Sequence, residues 1–214
     1  MNSDKLFYIS VGVVSLLVFG VILFFSQSKN ANLQKSLVVD QNVLIGKDAN
    51  IKGNLENAKV VLVEFSDFQC PACKVYNAEV NKILDENKDT VALVYKHFPL
   101  ISIHNYSKQA AIASEAAKKQ NKFFEYSNIL FEKQTTNEFS FKEQDFIEFA
   151  KQLSLDIEKF KADLTHPEVL EKVQADMNLA DTLGLNSTPT FYINGIKFVG
   201  NDLYGEVKKV LETK

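Results

Sequence analysis

At residues 60–73 the sequence reads VVLVEFSDFQCPAC, a short apolar run followed by a pair of cysteines. The β-branched run Val60–Phe65 is typical of a buried strand. Apolar residues then recur at helical spacing as far as Leu84, so a helix is predicted to follow directly. A second buried strand at Val91–Tyr95 completes a strand–helix–strand unit, which is predicted to be parallel and right-handed.

The cysteines Cys70 and Cys73 lie at the start of this helix, and that position favours redox chemistry. Unpaired backbone N–H groups and the helix dipole stabilise negative charge at Cys70. A pKa lowered from about 8.5 to about 5 raises the reactive thiolate from roughly 3% to nearly all of the thiol at neutral pH. Cys73, one turn later, suits a resolving thiol. Pro71 fits the first turn because its missing N–H is no loss there.

Two other interpretations of the cysteine pair are weaker. A structural disulfide across so short a loop would add little stability, and a metal site needs more ligands than two thiols. The three histidines, His97, His104 and His166, are not at motif spacing and are interpreted as surface residues. The pair is therefore predicted to work as a redox-active disulfide, with no cofactor and no metal.

The composition restricts the class of function. The chain has 214 residues, a net charge of −3 and two cysteines, with 46% of its residues hydrophobic. These values exclude a disordered chain and a multi-disulfide scaffold. All 24 basic residues are lysine, so no guanidinium fork is available for phosphate or carboxylate. A near-neutral chain without arginine does not suit nucleic-acid binding.

The N-terminus carries a candidate membrane anchor. Leu6–Phe25 is a run of 20 residues without a charge, long enough as a helix to span roughly 30 Å of hydrocarbon. The alternative is a cleaved signal peptide, for which Ser26-Gln27-Ser28 is a weak cleavage site. Because only a short head precedes the run, we expect the head to stay in the cytoplasm and the rest to be exported.

The remainder of the chain divides into a tether and one catalytic domain. Residues 1–25 form the predicted anchor, 26–57 a polar tether, and 58–214 the domain. A short strand is predicted at Asn42–Ile45 within the tether.

The domain itself is predicted to hold a largely helical segment followed by a hairpin. The helical segment spans about 102–186, and its many phenylalanines are interpreted as core filling. Asn194-Gly195 indicates a primed hairpin turn. The predicted elements are helices marked by Ala110–Ala117, Phe123–Phe131, Phe141–Leu153 and Pro167–Gly184, hairpin strands at Phe191–Ile193 and Ile196–Val199, and a last helix through Leu203, Val207, Val210 and Leu211.

The domain resembles the membrane-anchored, DsbA-like branch of the thioredoxin superfamily, from roughly Val60 to Lys214. A C-x-x-C motif alone is a weak signal, but its combination with Thr188-Pro189-Thr190 before a hairpin is specific. The matching segments are VEFSDFQCPAC at Val63–Cys73, VYKHFPL at Val94–Leu100, QAAIASEAAKKQNKFFEYSNILF at Gln109–Phe131 and GLNSTPTFYINGIKFVG at Gly184–Gly200.

The resemblance implies a thioredoxin fold with an inserted helical subdomain. It also implies a cis peptide bond at Thr188–Pro189 beside the cysteines, where the Thr188 backbone pairs with an extended substrate segment. Glu64 matches the family's buried acid, which would accept a proton from Cys73 with a raised pKa. The alternative for Glu64 is a strand-end residue that reaches solvent. Asp67 and Gln69 match the family loop but receive no chemical role.

The predicted function is an extracytoplasmic thiol:disulfide oxidoreductase that introduces disulfides into exported proteins. Its partners would be exported proteins with cysteines and a membrane redox partner that reoxidises or reduces the dithiol, and the protein itself would be a monomer. The dipeptide Pro71-Ala72 lacks the histidine of strongly oxidising relatives. The sequence therefore leaves open whether the protein oxidises or reduces its substrates. A reductase or isomerase with the same site is one alternative, and a non-catalytic anchored module that binds thiols or peptide is another.

Overall fold

The computed structural model describes residues 37–134 and 141–213. The chain divides after Val39, and the unit Asp40–Lys214 contains the cysteine pair. The predicted anchor Leu6–Phe25 lies outside the described residues. Within the described ranges, no helix has the length and apolar character needed to cross a membrane.

The described residues of the unit from Asp40 onward form five strands and the helices that cover them. In chain order the elements are α1 (Gln41–Ile45), β1 (Asn50–Lys52), β2 (Val60–Ser66), α2 (Pro71–Glu86), β3 (Val91–His97), α3 (Ser107–Lys118), α4 (Phe123–Lys133), α5 (Glu143–Gln152), α6 (Ile157–Asp163), α7 (Pro167–Thr182), β4 (Thr190–Ile193), β5 (Ile196–Lys197) and α8 (Leu203–Glu212).

The strands form one mixed sheet with the order β1-β3-β2-β4-β5. β2 and β3 are parallel, in register from Val60 opposite Val91 to Ser66 opposite His97, and α2 connects them. This confirms the predicted strand–helix–strand unit. All residues of both central strands are buried, as expected for a sheet covered on both faces.

The sheet places β4 on the other side of β2, antiparallel to it. β4 continues into β5 through Asn194 and Gly195, whose φ angles of +49° and +84° fit the primed turn that the sequence predicts. The second hairpin strand ends at Lys197, two residues earlier than predicted.

The predicted strand at Asn42–Ile45 is wrong, because this segment is a helix. The Asp40 carboxylate caps it by accepting a hydrogen bond from Asn42 N at 2.7 Å, and Leu44 is buried. Downstream, β1 pairs antiparallel with β3. The folded unit therefore begins well before the predicted boundary at residue 58, because the end of the predicted tether supplies an edge strand.

The helices predicted between 102 and 186 form a layer whose core also contains Phe68, the two cysteines and Tyr95. Its phenylalanines fill that core, which confirms their interpretation, and Tyr126 donates a buried hydrogen bond to Phe146 O at 2.8 Å. α6 was not predicted; it begins where the Asp156 carboxylate accepts from Lys159 N. The last long helix starts at Pro167 as predicted, and Gly184 follows its end with a φ of +64°.

Candidate active site

The two cysteines lie where β2 ends and α2 begins, as the sequence predicts. Cys70 is the N-cap of α2 and Pro71 is its first residue. Both thiols are free, so the structure represents the reduced dithiol. Cys70 has 7% of its surface exposed and Cys73 has none, so an external sulfur reaches Cys70 first.

The environment of Cys70 favours its thiolate. Hydrogen bonding from the Cys73 thiol is the largest cause, and with the backbone N–H groups of Ala72 and Cys73 it outweighs burial and lowers the Cys70 pKa to about 6. For Cys73 the effects are reversed. Its burial and the neighbouring Cys70 raise its pKa well above the ordinary value. The dithiol thus contains one ionised and one protonated sulfur near neutral pH.

The loop before β4 faces the cysteine pair. The peptide bond between Thr188 and Pro189 is cis, and the Cys70 thiol donates a hydrogen bond to Thr188 O at 3.3 Å. Sequence positions 118 residues apart therefore meet at the thiol. Beside Pro189 lies a surface cavity of about 340 Å³, the proline groove, whose lining includes Tyr76, Phe198 and Val199.

Glu64 lies beneath the cysteines on β2 and is 2% exposed. The alternative of a strand-end glutamate that reaches solvent is therefore wrong. Burial raises the Glu64 pKa to about 7, with hydrogen bonding to Ser66 opposing the shift and the Cys70 charge adding to it. The carboxyl thus exchanges its proton near neutral pH, within electrostatic reach of Cys73.

Asp67 and Gln69, which received no chemical role from the sequence, fix the loop that presents Cys70. The Asp67 carboxylate accepts hydrogen bonds from Gln69 N, Leu100 N and the His104 ring, each at 2.7 Å. The Gln69 side chain accepts from Tyr106 N at 2.6 Å. These bonds join the loop at residues 67–70, the thiol loop, to the segment after β3. Asp67 and Gln69 therefore position the site.

The interpretation of the histidines as surface residues is wrong for two of them. His104 is 6% exposed and bonds Asp67, and His97 is fully buried. His97 Nε2 lies 2.8 Å from the Glu115 carboxylate, because α3 packs over the end of β3. His166 is partly exposed and caps α7 by accepting from Glu168 N. The partners of His97 and His104 lie far from them along the chain, so no local sequence pattern indicates that these two histidines are buried.

The family follows from this fold together with a direct match. A family model described as thioredoxin matches residues 48–213. The chain belongs to the thioredoxin family. The match starts just before β1, in agreement with the early start of the folded unit.

Solved structures place this thioredoxin-family protein near oxidoreductases of the DsbA type. A thioredoxin-like oxidoreductase from Silicibacter pomeroyi has 28% identity and a TM-score of 0.70, over 82% of this chain and 97% of that one. BdbD from Bacillus subtilis, in its oxidised form, has 27% identity and a TM-score of 0.68, over 77% and 91%. The predicted membership of the thioredoxin superfamily is confirmed, and these two neighbours agree with the predicted resemblance to thiol:disulfide oxidoreductases.

A curated relative gives a second match of a different kind. The Na(+)/H(+) antiporter NhaA 1 of a Mycobacterium species is 39% identical over 153 residues, which is 71% of this thioredoxin-family chain but 24% of the antiporter. The chain spans about a quarter of that relative's length, so the antiporter name describes the larger protein.

The Cys70 environment predicts a pH dependence of alkylation. In the reduced protein, the rate with iodoacetamide is expected to rise with an inflection near pH 6, the pKa of Cys70, so roughly 90% of this thiol is ionised at pH 7. Because the Cys70 pKa is lower in the folded chain than in the unfolded chain, the thiolate also stabilises the folded dithiol. This stabilisation is fully present above the unfolded value of about 8.5 and is lost as pH falls through about 6. Cys70→Ser, which leaves buried Cys73, is the control and should not react. An inflection near 8.5, the value for an unperturbed thiol, would contradict the geometry.

Proposed function

We propose that this protein is an extracytoplasmic oxidoreductase that introduces disulfides into exported proteins by exchange at Cys70 and Cys73. The observation that carries the proposal is the asymmetry of the pair. Cys70 is reachable and its pKa is lowered, whereas Cys73 is buried with a raised pKa. Exchange needs one sulfur that meets the substrate and a second that resolves the mixed disulfide.

The reaction begins with the oxidised protein, in which Cys70 and Cys73 share a disulfide. A substrate thiolate attacks Cys70 Sγ, the bond between the two cysteines breaks, and its electron pair leaves on Cys73 Sγ. The second substrate thiolate then attacks the substrate sulfur of the mixed disulfide and releases Cys70 as a thiolate. Cys70 is a good leaving group because its pKa is low. The substrate ends with a new disulfide and the protein with two thiols.

Glu64 supplies the proton that this sequence of steps requires. Cys73 leaves as a thiolate inside the protein, where its charge is disfavoured by burial. A protonated Glu64 neutralises it, and the carboxylate takes the proton back when Cys73 must attack. A pKa of about 7 suits both directions.

The proline groove and the Thr188 backbone are the proposed substrate-binding elements. Strand addition along Thr188 would hold a peptide extended beside Cys70. The groove offers aromatic surface to its side chains, and Val199 at its rim is 78% exposed. Sequence-tolerant backbone pairing fits an enzyme that acts on many exported proteins.

Anchoring by Leu6–Phe25 and reoxidation by a membrane redox partner are part of the same proposal. They rest on the uncharged apolar run of 20 residues. Membrane extraction followed by N-terminal sequencing tests the anchor. A chain that begins at Met1 and stays with the membrane is expected, and a start near Asn30 would instead indicate cleavage and secretion.

An equilibrium titration with reduced and oxidised glutathione tests the direction of exchange. A thiolate with a pKa of about 6 stabilises the reduced protein, so we expect a potential between about −270 mV for thioredoxin and about −120 mV for DsbA. A potential at or below that of thioredoxin would contradict the disulfide-introducing direction and favour the reductase alternative. Cys73→Ser serves as the control because it cannot form the internal disulfide.

A further inference from the structure

Unpartnered polar atoms gather around the cysteine pair. Six buried side-chain oxygen or nitrogen atoms in the described residues make no hydrogen bond of standard geometry. Three of them are Glu64 Oε1, Ser66 Oγ and Tyr95 Oη, and a fourth is Thr188 Oγ1 beside Cys70. Native proteins satisfy nearly all buried polar groups. Such a concentration at one place indicates groups that change partners during a reaction.

The sheet register places three of these groups on one face. Glu64 and Ser66 are two residues apart on β2, so their side chains point the same way. Tyr95 is the direct partner of Glu64 on parallel β3. Cys73, on α2, packs in the same buried cluster as Tyr95. Hydrogen bonding by the Ser66 hydroxyl lowers the pKa of Glu64, Cys73 and Tyr95 alike. The Ser66 hydroxyl therefore interacts with Glu64, Cys73 and Tyr95 but makes no hydrogen bond of standard geometry with any of them.

We propose that Ser66 is a proton-relay residue, whose hydroxyl carries the proton between the Glu64 carboxyl and the Cys73 sulfur. The inference rests on the proposed function and adds the path by which Glu64 reaches Cys73. A serine hydroxyl suits the role because it donates one proton and accepts another at the same time.

The relay step conserves protons and electrons. When the bond between Cys70 and Cys73 breaks, its electron pair leaves on Cys73 Sγ. Ser66 Oγ–H gives its proton to that thiolate and takes the proton of the Glu64 carboxylic acid. The products are a neutral Cys73 thiol, a Glu64 carboxylate and an unchanged Ser66 hydroxyl. The reverse transfer deprotonates Cys73 when it attacks a mixed disulfide on Cys70.

Other titratable groups near the relay do not replace Ser66. The Tyr95 hydroxyl hydrogen-bonds toward Ser66 and interacts with Glu64 and Cys73 through charge, so it does not bridge them, and burial raises its pKa well above the ordinary value. His97 lies beside Tyr95, with ring centroids 5.3 Å apart; its Nε2 is bonded to Glu115, and its buried Nδ1 makes no hydrogen bond that would connect it to Glu64 or Cys73. Asp67 contributes charge from the thiol loop, and its carboxylate is held by Leu100 N and His104. Cys70 is the other sulfur of the exchanging pair.

The test follows attack of reduced glutathione on the oxidised full-length protein across pH, with acid quenching and mass spectrometry. Normalised to the glutathione thiolate, the wild-type rate is expected to fall as pH rises through the Glu64 pKa of about 7. Ser66→Ala should lower the rate at pH 6 by roughly 10- to 100-fold and remove this inflection, because general acid catalysis by Glu64 is lost. Alkylation of Cys70 in the reduced variant should keep its inflection near pH 6.

Two further variants separate the relay from a structural effect. Ser66→Thr keeps a hydroxyl on the strand and is expected to restore the rate and the inflection. Ser114→Ala removes another fully buried serine hydroxyl, bonded to Ala111 O in α3, and should leave both unchanged.

The outcomes distinguish this inference from the proposed function. If Ser66→Ala stays within about twofold of the wild type and keeps the inflection, the relay is wrong while exchange stands. If Ser66→Ala does not fold, a Ser66→Thr variant that folds but lacks the inflection overturns the relay, and one that keeps it supports the hydroxyl. If the wild type itself does not exchange with glutathione, the proposed function fails and the relay fails with it.

Discussion

Cys70→Ser is expected to abolish disulfide transfer to a reduced substrate, with a loss of about 10³-fold or more, because a serine hydroxyl is not ionised near neutral pH and forms no disulfide. Folding should be preserved, since Cys70 is the N-cap of α2 and serine is a favoured N-cap residue. The measurement is oxidation of a reduced two-cysteine peptide by the variant, alongside a thermal melt that checks the fold.

Cys73→Ser is the matched variant and should behave differently. It keeps the reactive Cys70 but removes the resolving sulfur, so a mixed disulfide between Cys70 and a substrate is expected to accumulate. Mass spectrometry after treatment with an oxidised peptide detects this adduct on the protein. Full transfer by Cys70→Ser, or no adduct on Cys73→Ser, would show that the roles of the two sulfurs are assigned wrongly.

Asp176→Ala is expected to lower the free energy of unfolding by about 3–5 kcal/mol, because it leaves buried lysine charges without their partner. The Asp176 carboxylate accepts from Lys96 Nζ at 3.1 Å, from His97 N at 3.2 Å and from Lys172 Nζ. All three side chains in this ion triad, Lys96, Lys172 and Asp176, are almost fully buried. Urea unfolding at pH 7 measures the loss.

Two controls test the cause of that loss. Asp48→Ala removes an exposed partner of Lys118, whose Nζ lies 3.1 Å away, and should cost about 1 kcal/mol or less. A triple variant with Lys96→Met, Lys172→Met and Asp176→Leu removes the whole triad and should recover most of the stability. If Asp176→Ala and Asp48→Ala lower the free energy of unfolding equally, the buried triad stabilises the protein no more than an exposed ion pair does.

The parts of the fold with local signals were predictable from the sequence. The β-branched runs gave β2 and β3, and Asn194-Gly195 gave the hairpin turn that the positive φ angles show. The position of Cys70 between a strand and a helix located the active site without any knowledge of distant contacts. In each case a few adjacent residues determine the backbone conformation.

The parts that depend on distant partners were not predictable in the same way. Lys96 and Asp176 are 80 residues apart, and His97 and His104 lose their exposure only when α3 and the thiol loop pack against them. The Asp40 cap turns the predicted strand at Asn42–Ile45 into a helix. A segment this short shows no hydrophobic periodicity that separates a helix from a strand. Capping and tertiary packing therefore determine its structure.

The most direct test of the central claim is a stoichiometric transfer of one disulfide. Oxidised full-length protein is mixed with an equal amount of a reduced two-cysteine peptide, and both are trapped by alkylation and weighed by mass spectrometry. The proposal predicts that the peptide loses two hydrogen atoms while Cys70 and Cys73 appear as free thiols in equal amount. A peptide that stays reduced beside an intact Cys70–Cys73 disulfide would contradict it.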